Sequence, residues 1–267
     1  MDAQTAKIGF IGFGNMAKAM AEGLVSYAGF NHARIYACAK HFNKLEASCT
    51  KLGVNPLKSA AEVVQASDIV VIAVKPHIVK SVLGEIKPVL EKHGNTKAIV
   101  SVAVGLLYDF YNSELGSCAH HISTIPNVAI SVGSGVIACE NKHTLTDDMW
   151  RTFTEIFGSV ALIEQVDGKQ LNCASALAGS GPAFAAMFME AMADGGVKGG
   201  LERECAYKLA AQTMLGTAKL CLDAKKHPAV IKDEVTSPAG TTIRGVGALE
   251  NAGMRAAVMN AIDATLS

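Results

Sequence analysis

The residues of this 267-residue chain best placed to do chemistry are glycines and threonines, not acids or histidines. Lys7 to Phe13 is apolar and glycine-flanked, which reads as a buried strand. Gly12-Phe13-Gly14-Asn15-Met16-Ala17 then spells G-x-G-x-x-A, opening a helical pattern with Met16, Ala19, Met20, Gly23 and Leu24. In that context the first glycine allows a tight turn and the second lets backbone approach a pyrophosphate. The small third residue lets helix pack on strand. A helix N-terminus adds free N–H groups and partial positive charge. The chemistry implied is dinucleotide binding through Gly12, Phe13, Gly14, Asn15 and Met16.

The end of the next strand, Arg34 to Ala37, bears on which dinucleotide. An NAD site usually carries Asp or Glu about 20 residues beyond the glycines, to hold the ribose 2′-hydroxyl. Here Cys38-Ala39-Lys40-His41 follows, and Glu46 is the first acid. Cys38 and Lys40 tolerate a 2′-phosphate, so NADP(H) is expected to be preferred, with NAD(H) possible. Lys40 is equally readable as an ordinary solvated lysine. Asp68 to Val74 is a continuous apolar strand, followed by Lys75-Pro76. Ala73, Val74, Lys75 and Pro76 thus fall at a carboxyl strand end, where open α/β sheets bind ligands. Val102, Ala103 and Val104 fall at the equivalent end of the following strand.

Composition narrows the rest. Lys and Arg number 24 against 24 Asp and Glu, which argues against nucleic-acid binding. Hydrophobic residues at 50% exclude disorder. The seven Cys form no C-x-x-C, and His120 and His121 are adjacent, so no metal site is expected. Unpatterned free Cys suggests a reducing compartment, and no signal peptide is recognisable, so a cytoplasmic protein is expected. The charge-free stretch Leu171 to Met189 approaches the ~20 residues of a membrane span. Gly179-Ser180-Gly181-Pro182 interrupts it, which favours a buried, broken pair of helices.

These positions need a scaffold. Ser59 with Glu62 forms a capping box before a short helix. Ile78 to Glu91 is helical, kinked or split at Pro88. Further strands are expected at 98–104, 119–125, 134–139 and 159–163, and a helix over 147–157 capped by Thr146. Alternating units of this kind predict an α/β, Rossmann-type doubly wound, mostly parallel sheet. Beyond Val166 only helical, Ala-rich segments follow: 167–178, 182–195, 202–225, 228–234, 241–250 and 253–266. The expected division is 1–165, a dinucleotide-binding domain, and 166–267, an all-α domain.

Near the C-terminus, Ser237-Pro238 sets an extended approach, Ala239-Gly240 permits a turn, and Thr241-Thr242 starts a helix. Free N–H groups there could cradle a carboxylate. Alternatively, Ser237 and Thr241 serve as helix caps.

Together these motifs resemble the pyrroline-5-carboxylate reductase family over most of the chain. The resemblance rests on Ile8 to Met16, Ala73-Val74-Lys75-Pro76, Ala178 to Phe184, Ala193 to Leu201, and Val235 to Ile243 with Leu249-Glu250. It implies NADPH-dependent reduction of the C=N bond of 1-pyrroline-5-carboxylate to proline. It also implies that Thr242 acts on the ring nitrogen and that Val235, Gly240, Thr241 and Thr242 hold the substrate. Obligate dimers or larger homo-oligomers follow from the same resemblance, and the all-α part becomes a substrate-binding and dimerisation domain. The apolar faces of 202–225, with Ala206, Leu209, Ala210, Met214 and Leu220 on more than one side, agree with an intertwined partner. A compact monomeric bundle is the alternative.

The chain departs from the family at Ala60, Ser123, Ala178, Phe184 and Glu234. A hydroxyisobutyrate-type dehydrogenase would combine similar domains but needs a catalytic lysine after the Gly179-Ser180-Gly181 turn. Lys169 precedes it. A non-catalytic nucleotide sensor would not need the Thr241-Thr242 loop.

Overall fold

A computed structural model describes residues 1–266. The strands are β1 (Ile8–Ile11), β2 (Ile35–Cys38), β3 (Asn55–Pro56), β4 (Ile69–Ile72), β5 (Ala98–Ser101), β6 (His120–Pro126), β7 (Gly135–Glu140) and β8 (Ala161–Val166). They form a single sheet ordered β3-β2-β1-β4-β5-β6-β7-β8. Every pairing is parallel except β6 with β7. Strands are added outward from β1 to β3 on one side and from β4 onward on the other, so the strand order switches between β1 and β4 and the crevice of the doubly wound fold opens there.

The strands are apolar throughout because both faces are covered. Helices α1 (Asn15–Ser26), α2 (Phe42–Leu52) and α6 (Asp147–Gly158) lie on one face. Ile8, Phe10, Ile69 and Val71 meet Met20, Leu24, Leu45, Phe153 and Phe157 there. The other face takes α3 (Ala60–Ala66), α4 (Pro76–Lys92) and α5 (Tyr108–Leu115). Val70, Ile72 and Ile99 meet Val63, Leu83, Ile86, Tyr111 and Leu115 there. Successive residues of β4 thus divide between the two cores, as a period of two requires.

Several local expectations change. The capping box is displaced by one residue. Ser59 Oγ accepts from the Glu62 N–H at 3.2 Å, while the Glu62 carboxylate accepts from Lys58, not Ser59, at 2.9 Å. Helix α4 runs through Pro88 without being split. An internal proline costs about 3 kcal/mol, but Val79, Val82, Leu83, Ile86 and Leu90 are all buried along this helix. Each such side chain contributes about 1.5–3 kcal/mol, so packing wins. Helices α2 and α5 were outside the expected pattern because each buries only two residues: Leu45 and Cys49, and Tyr111 and Leu115.

The expected helix break at Gly179-Ser180-Gly181-Pro182 is also absent. The backbone passes from α7 (Leu171–Ser175) through a π-turn, Ala176–Ser180, into α8 (Gly181–Lys198). Pro182 has no N–H for the carbonyl four residues earlier, that of Ala178. The Asn127 carboxamide donates to this carbonyl instead, at 3.0 Å. The wider π-turn makes room for the proline ring.

Two compact units meet at Gly179 and Ser180, later than residue 165. Helix α7 stays with the first unit because Leu171 packs on Ile125 and Ala138 of the sheet. The second unit contains α8, α9 (Arg203–Leu222), α10 (Pro228–Val235), α11 (Thr241–Asn251) and α12 (Met254–Asp263). Its own core is small: Ala193, Ala206 and Ala210, with Val197 against them. No helix among the described residues is long and apolar enough to cross a membrane.

Candidate active site

Gly12 leaves β1 with φ +89°, a conformation in which a side chain is strained. Its N–H donates to Cys38 C=O at 2.9 Å. A Cβ there would lie 2.7 Å from Ala73 O and 2.8 Å from Val74 Cγ1. The absent side chain therefore lets the carboxyl ends of β1, β2 and β4 close on one another. The Ala73 N–H donates to Ile11 O at 2.8 Å, and Val102 N–H to Ile72 O at 3.1 Å. Parallel register thus brings Gly12, Cys38, Ala73, Val74 and Val102 to one edge.

Gly14 has the opposite role. A Cβ on it would meet nothing within 4 Å, so the space beside it is open. It is the N-cap of α1 and has no side-chain cap bond, and the first turn holds no acid. The free N–H groups and the helix dipole suit a pyrophosphate, so these residues fit an anionic dinucleotide.

The other expected contacts are placed unevenly. Phe13 turns its ring into the core, 5.9 Å from Phe10, which leaves only its backbone for a ligand. Asn15 is exposed and Met16 half-buried in the first turn of α1. Cys38 is buried, and burial pushes its thiol up to about 11, so it is no nucleophile at neutral pH. Lys40 is exposed beyond β2. Lys75 is the exposed N-cap of α4, and Pro76 opens that helix. Ala103 is buried, while Val104 is half exposed.

The threonine loop belongs to the second unit. Val235 ends α10 and is exposed. The turn's left-handed residue is Ala239, φ +58°, while Gly240 is extended, φ −67° and ψ 174°. A Cβ on Gly240 would lie 2.4 Å from Ser237 Oγ and 3.1 Å from Ser237 O, so a larger residue would force the serine hydroxyl aside. Gly240 is also the N-cap of α11, with no side-chain cap bond. Ser237 and Thr241 therefore do not cap this helix, and the capping alternative read from the sequence falls. Thr241 and Thr242 are exposed in the first turn of α11, which also carries its free N–H groups.

Sequence reasoning missed a buried polar group behind Val102–Val104. It consists of Ser101, Tyr111, Ser123, Thr124 and Glu140, all under 6% exposed. A serine ending the otherwise apolar Ala98–Ser101 and an acid ending Gly135–Glu140 are the signals that could have shown it. Of the family departures, Glu234 is ion-paired to Lys226 at 2.7 Å. Lys169 lies in a 3-10 turn, Gly168–Gln170. Among the described residues no three His, Cys, Asp or Glu gather to hold a metal.

Known proteins resemble this chain over nearly all of its length. Residues 168–267 match a family model described as pyrroline-5-carboxylate reductase dimerisation, and residues 7–105 one described as NADP oxidoreductase coenzyme F420-dependent. A pyrroline-5-carboxylate reductase of Treponema pallidum is 42% identical over 264 residues, 97% of this chain and 98% of the relative. That of Escherichia coli is 38% identical over 256 residues, 96% of this chain and 94% of the relative. A pyrroline-5-carboxylate reductase structure from Coxiella burnetii has a TM-score of 0.86 at 32% identity, covering 98% of this chain and 96% of that one. The Plasmodium falciparum pyrroline carboxylate reductase with NADP bound has a TM-score of 0.84 at 30% identity, with the same coverage. The resemblance first carried by the glycine and threonine motifs thus extends over nearly the full length of this chain and of its relatives: the chain belongs to the pyrroline-5-carboxylate reductase family.

Proposed function

We propose that this chain reduces the C=N bond of 1-pyrroline-5-carboxylate with NADPH, giving L-proline. The observation that carries this reading is 42% identity, end to end, with a pyrroline-5-carboxylate reductase. The open Gly14 cradle and the uncapped start of α11 support it.

When bound, NADPH supplies a hydride to the imine carbon. The chain holds and orients. Gly12, Phe13, Gly14, Asn15 and Met16 receive the pyrophosphate through backbone N–H groups. Cys38 and Lys40 border the adenosine ribose, where no acid among Cys38 to His41 repels a 2′-phosphate. Ala73, Val74, Lys75, Pro76, Val102, Ala103 and Val104 line the path to the nicotinamide. At α11, Gly240 and the N–H groups after it hold the substrate carboxylate with Val235 and Thr241. The Thr242 hydroxyl hydrogen-bonds the ring nitrogen, the atom that must gain a proton as the carbon is reduced. No acid or histidine is assigned as proton donor, and solvent can protonate a basic imine nitrogen.

The helical unit is read as the dimerisation domain and the working form as a homodimer or larger homo-oligomer, in the cytoplasm. Pyrroline-5-carboxylate-dependent oxidation of NADPH by the purified protein tests the function. Turnover with NADPH exceeding that with NADH is expected. NADPH binding without turnover of this imine would overturn the reading.

A further inference from the structure

The loop of residues 102–107 leaves β5 at the carboxyl edge of the sheet and carries Val102, Ala103 and Val104. At its centre Gly105 has φ +84°. Val104 and Gly105 form a turn, and side chains tie the backbone of 103–106 to its surroundings. The Ala103 N–H donates to Ser101 Oγ at 3.2 Å, and Ser123 Oγ donates to Leu106 O at 3.1 Å. Where the loop enters α5, the Tyr108 N–H donates to Glu140 Oε2 at 2.7 Å.

The Ser101 anchor has a second layer. Its backbone carbonyl accepts from Thr124 Oγ1 at 2.8 Å, which fixes the residue. Its hydroxyl shares a hydrogen bond with Tyr111 Oη. A buried serine has three staggered side-chain positions, and only one faces the Ala103 N–H. Tyr111 is fully buried, its ring edge-on to Phe110 at 5.1 Å and 6.0 Å from His121. Such a side chain cannot follow the serine into another rotamer, so it selects one.

We propose that Tyr111 is a positioning residue for the cofactor: through Ser101 it sets the conformation of the 102–107 loop that receives NADPH. This rests on the proposed role of Val102–Val104. The phenol touches neither cofactor nor substrate in this scheme, and its contribution is read in NADPH affinity, not in the handling of the imine.

The test uses the full-length protein and NADPH, with dissociation constants from quenching of intrinsic fluorescence. Tyr111→Phe removes one oxygen and keeps the ring. The expected result is about tenfold weaker NADPH binding, the value of one lost hydrogen bond, with KM for the imine unchanged. Ser101→Ala is expected to match it. The double variant is expected to be no weaker than the weaker single one, since both act through one contact. Phe157→Leu, in the α6 core, controls for stability: a lowered melting temperature with unaltered NADPH affinity is expected. Wild-type NADPH affinity in Tyr111→Phe, a hundredfold additive loss in the double variant, or an equal loss in Phe157→Leu would each overturn the proposal. Gly12→Ala separates this from failure of the cofactor site itself. If that variant also binds NADPH normally, the glycine-loop reading falls and the proposal with it. If only Gly12→Ala loses binding, the loop reading stands and the role of Tyr111 alone is refuted.

Discussion

At the scale of single residues, the substrate site proposed at the start of α11 carries uncharged side chains, Val235, Thr241 and Thr242. Thr242 is the only side chain assigned to the reacting ring nitrogen. Thr242→Ala is expected to lower kcat/KM about tenfold to a hundredfold, the value of one or two hydrogen bonds. Steady-state kinetics on the purified variant will read it, and near-wild-type values would remove Thr242 from the mechanism. His121 makes a second residue-level prediction. It is buried, and neither ring nitrogen has a hydrogen-bond partner among the described residues. Tyr108 and Tyr111 flank it at 5.1 and 6.0 Å. Burial, with smaller contributions from His120 and His143, pushes its pKa down from 6.5 to about 4. Between those values the unfolded chain binds the proton and the folded one does not. Stability contributed by neutral His121 is therefore complete above about pH 6.5 and falls as the pH drops toward 4, by up to ~1.4 kcal/mol per pH unit. Urea midpoints at pH 7 and pH 5 should differ more for wild type than for His121→Leu. Equal slopes would refute the assignment. The glycine motif and the threonine pair were legible as residues because their spacing has a local mechanical meaning. The roles of Ser101 and Tyr111 were not, since a serine and a tyrosine ten positions apart carry no signal until a strand and a helix place them together.

At the scale of elements, strand order follows from uninterrupted apolar runs, while exact ends do not. The strand expected over 98–104 ran past the observed end at Ser101 because Val102 and Ala103 are apolar and continue out of solvent. Helix α4 is the most informative disagreement. Pro88 lies on its exposed side and removes one backbone hydrogen bond, toward Gly84. Pro88→Ala is expected to stabilise the protein by about 1–2 kcal/mol, after allowing for the greater freedom Ala gives the unfolded chain. A melting temperature several degrees higher would agree; an unchanged or lowered one would show that the ring's packing outweighs the lost bond. The π-turn at Ala176–Ser180 has the same logic. A proline pattern predicts a break, but a carboxamide from Asn127, far away in sequence, satisfies the carbonyl the proline leaves free.

At the scale of the whole molecule, the second unit is short of interior. Met187 is 68% exposed and Leu209 54%, with Leu215, Leu222, Val258 and Met259 also exposed. A unit whose own cluster is three alanines cannot bury these side chains alone. Light scattering at micromolar concentration is expected to give a dimer or larger particle. Met187→Lys with Leu209→Lys is expected to shift it toward monomer and lower the melting temperature. A monomeric wild type would refute the assembly.

The amino-acid sequence by itself determined the nucleotide loop, the alternation of strands and helices, the all-helical remainder and the threonine helix start. Each is a local pattern whose physics acts over a few residues. Tertiary structure decided the rest: that Gly12 lies against Ala73 and Val74, that the Asn127 carboxamide reaches the π-turn, and that the Tyr111 hydroxyl meets that of Ser101. The first arises because parallel pairing brings the ends of β1 and β4 to one edge, and the others because folding sets a strand end beside a turn or a helix remote in sequence; each close approach depends on the packing of elements and not on chain neighbours.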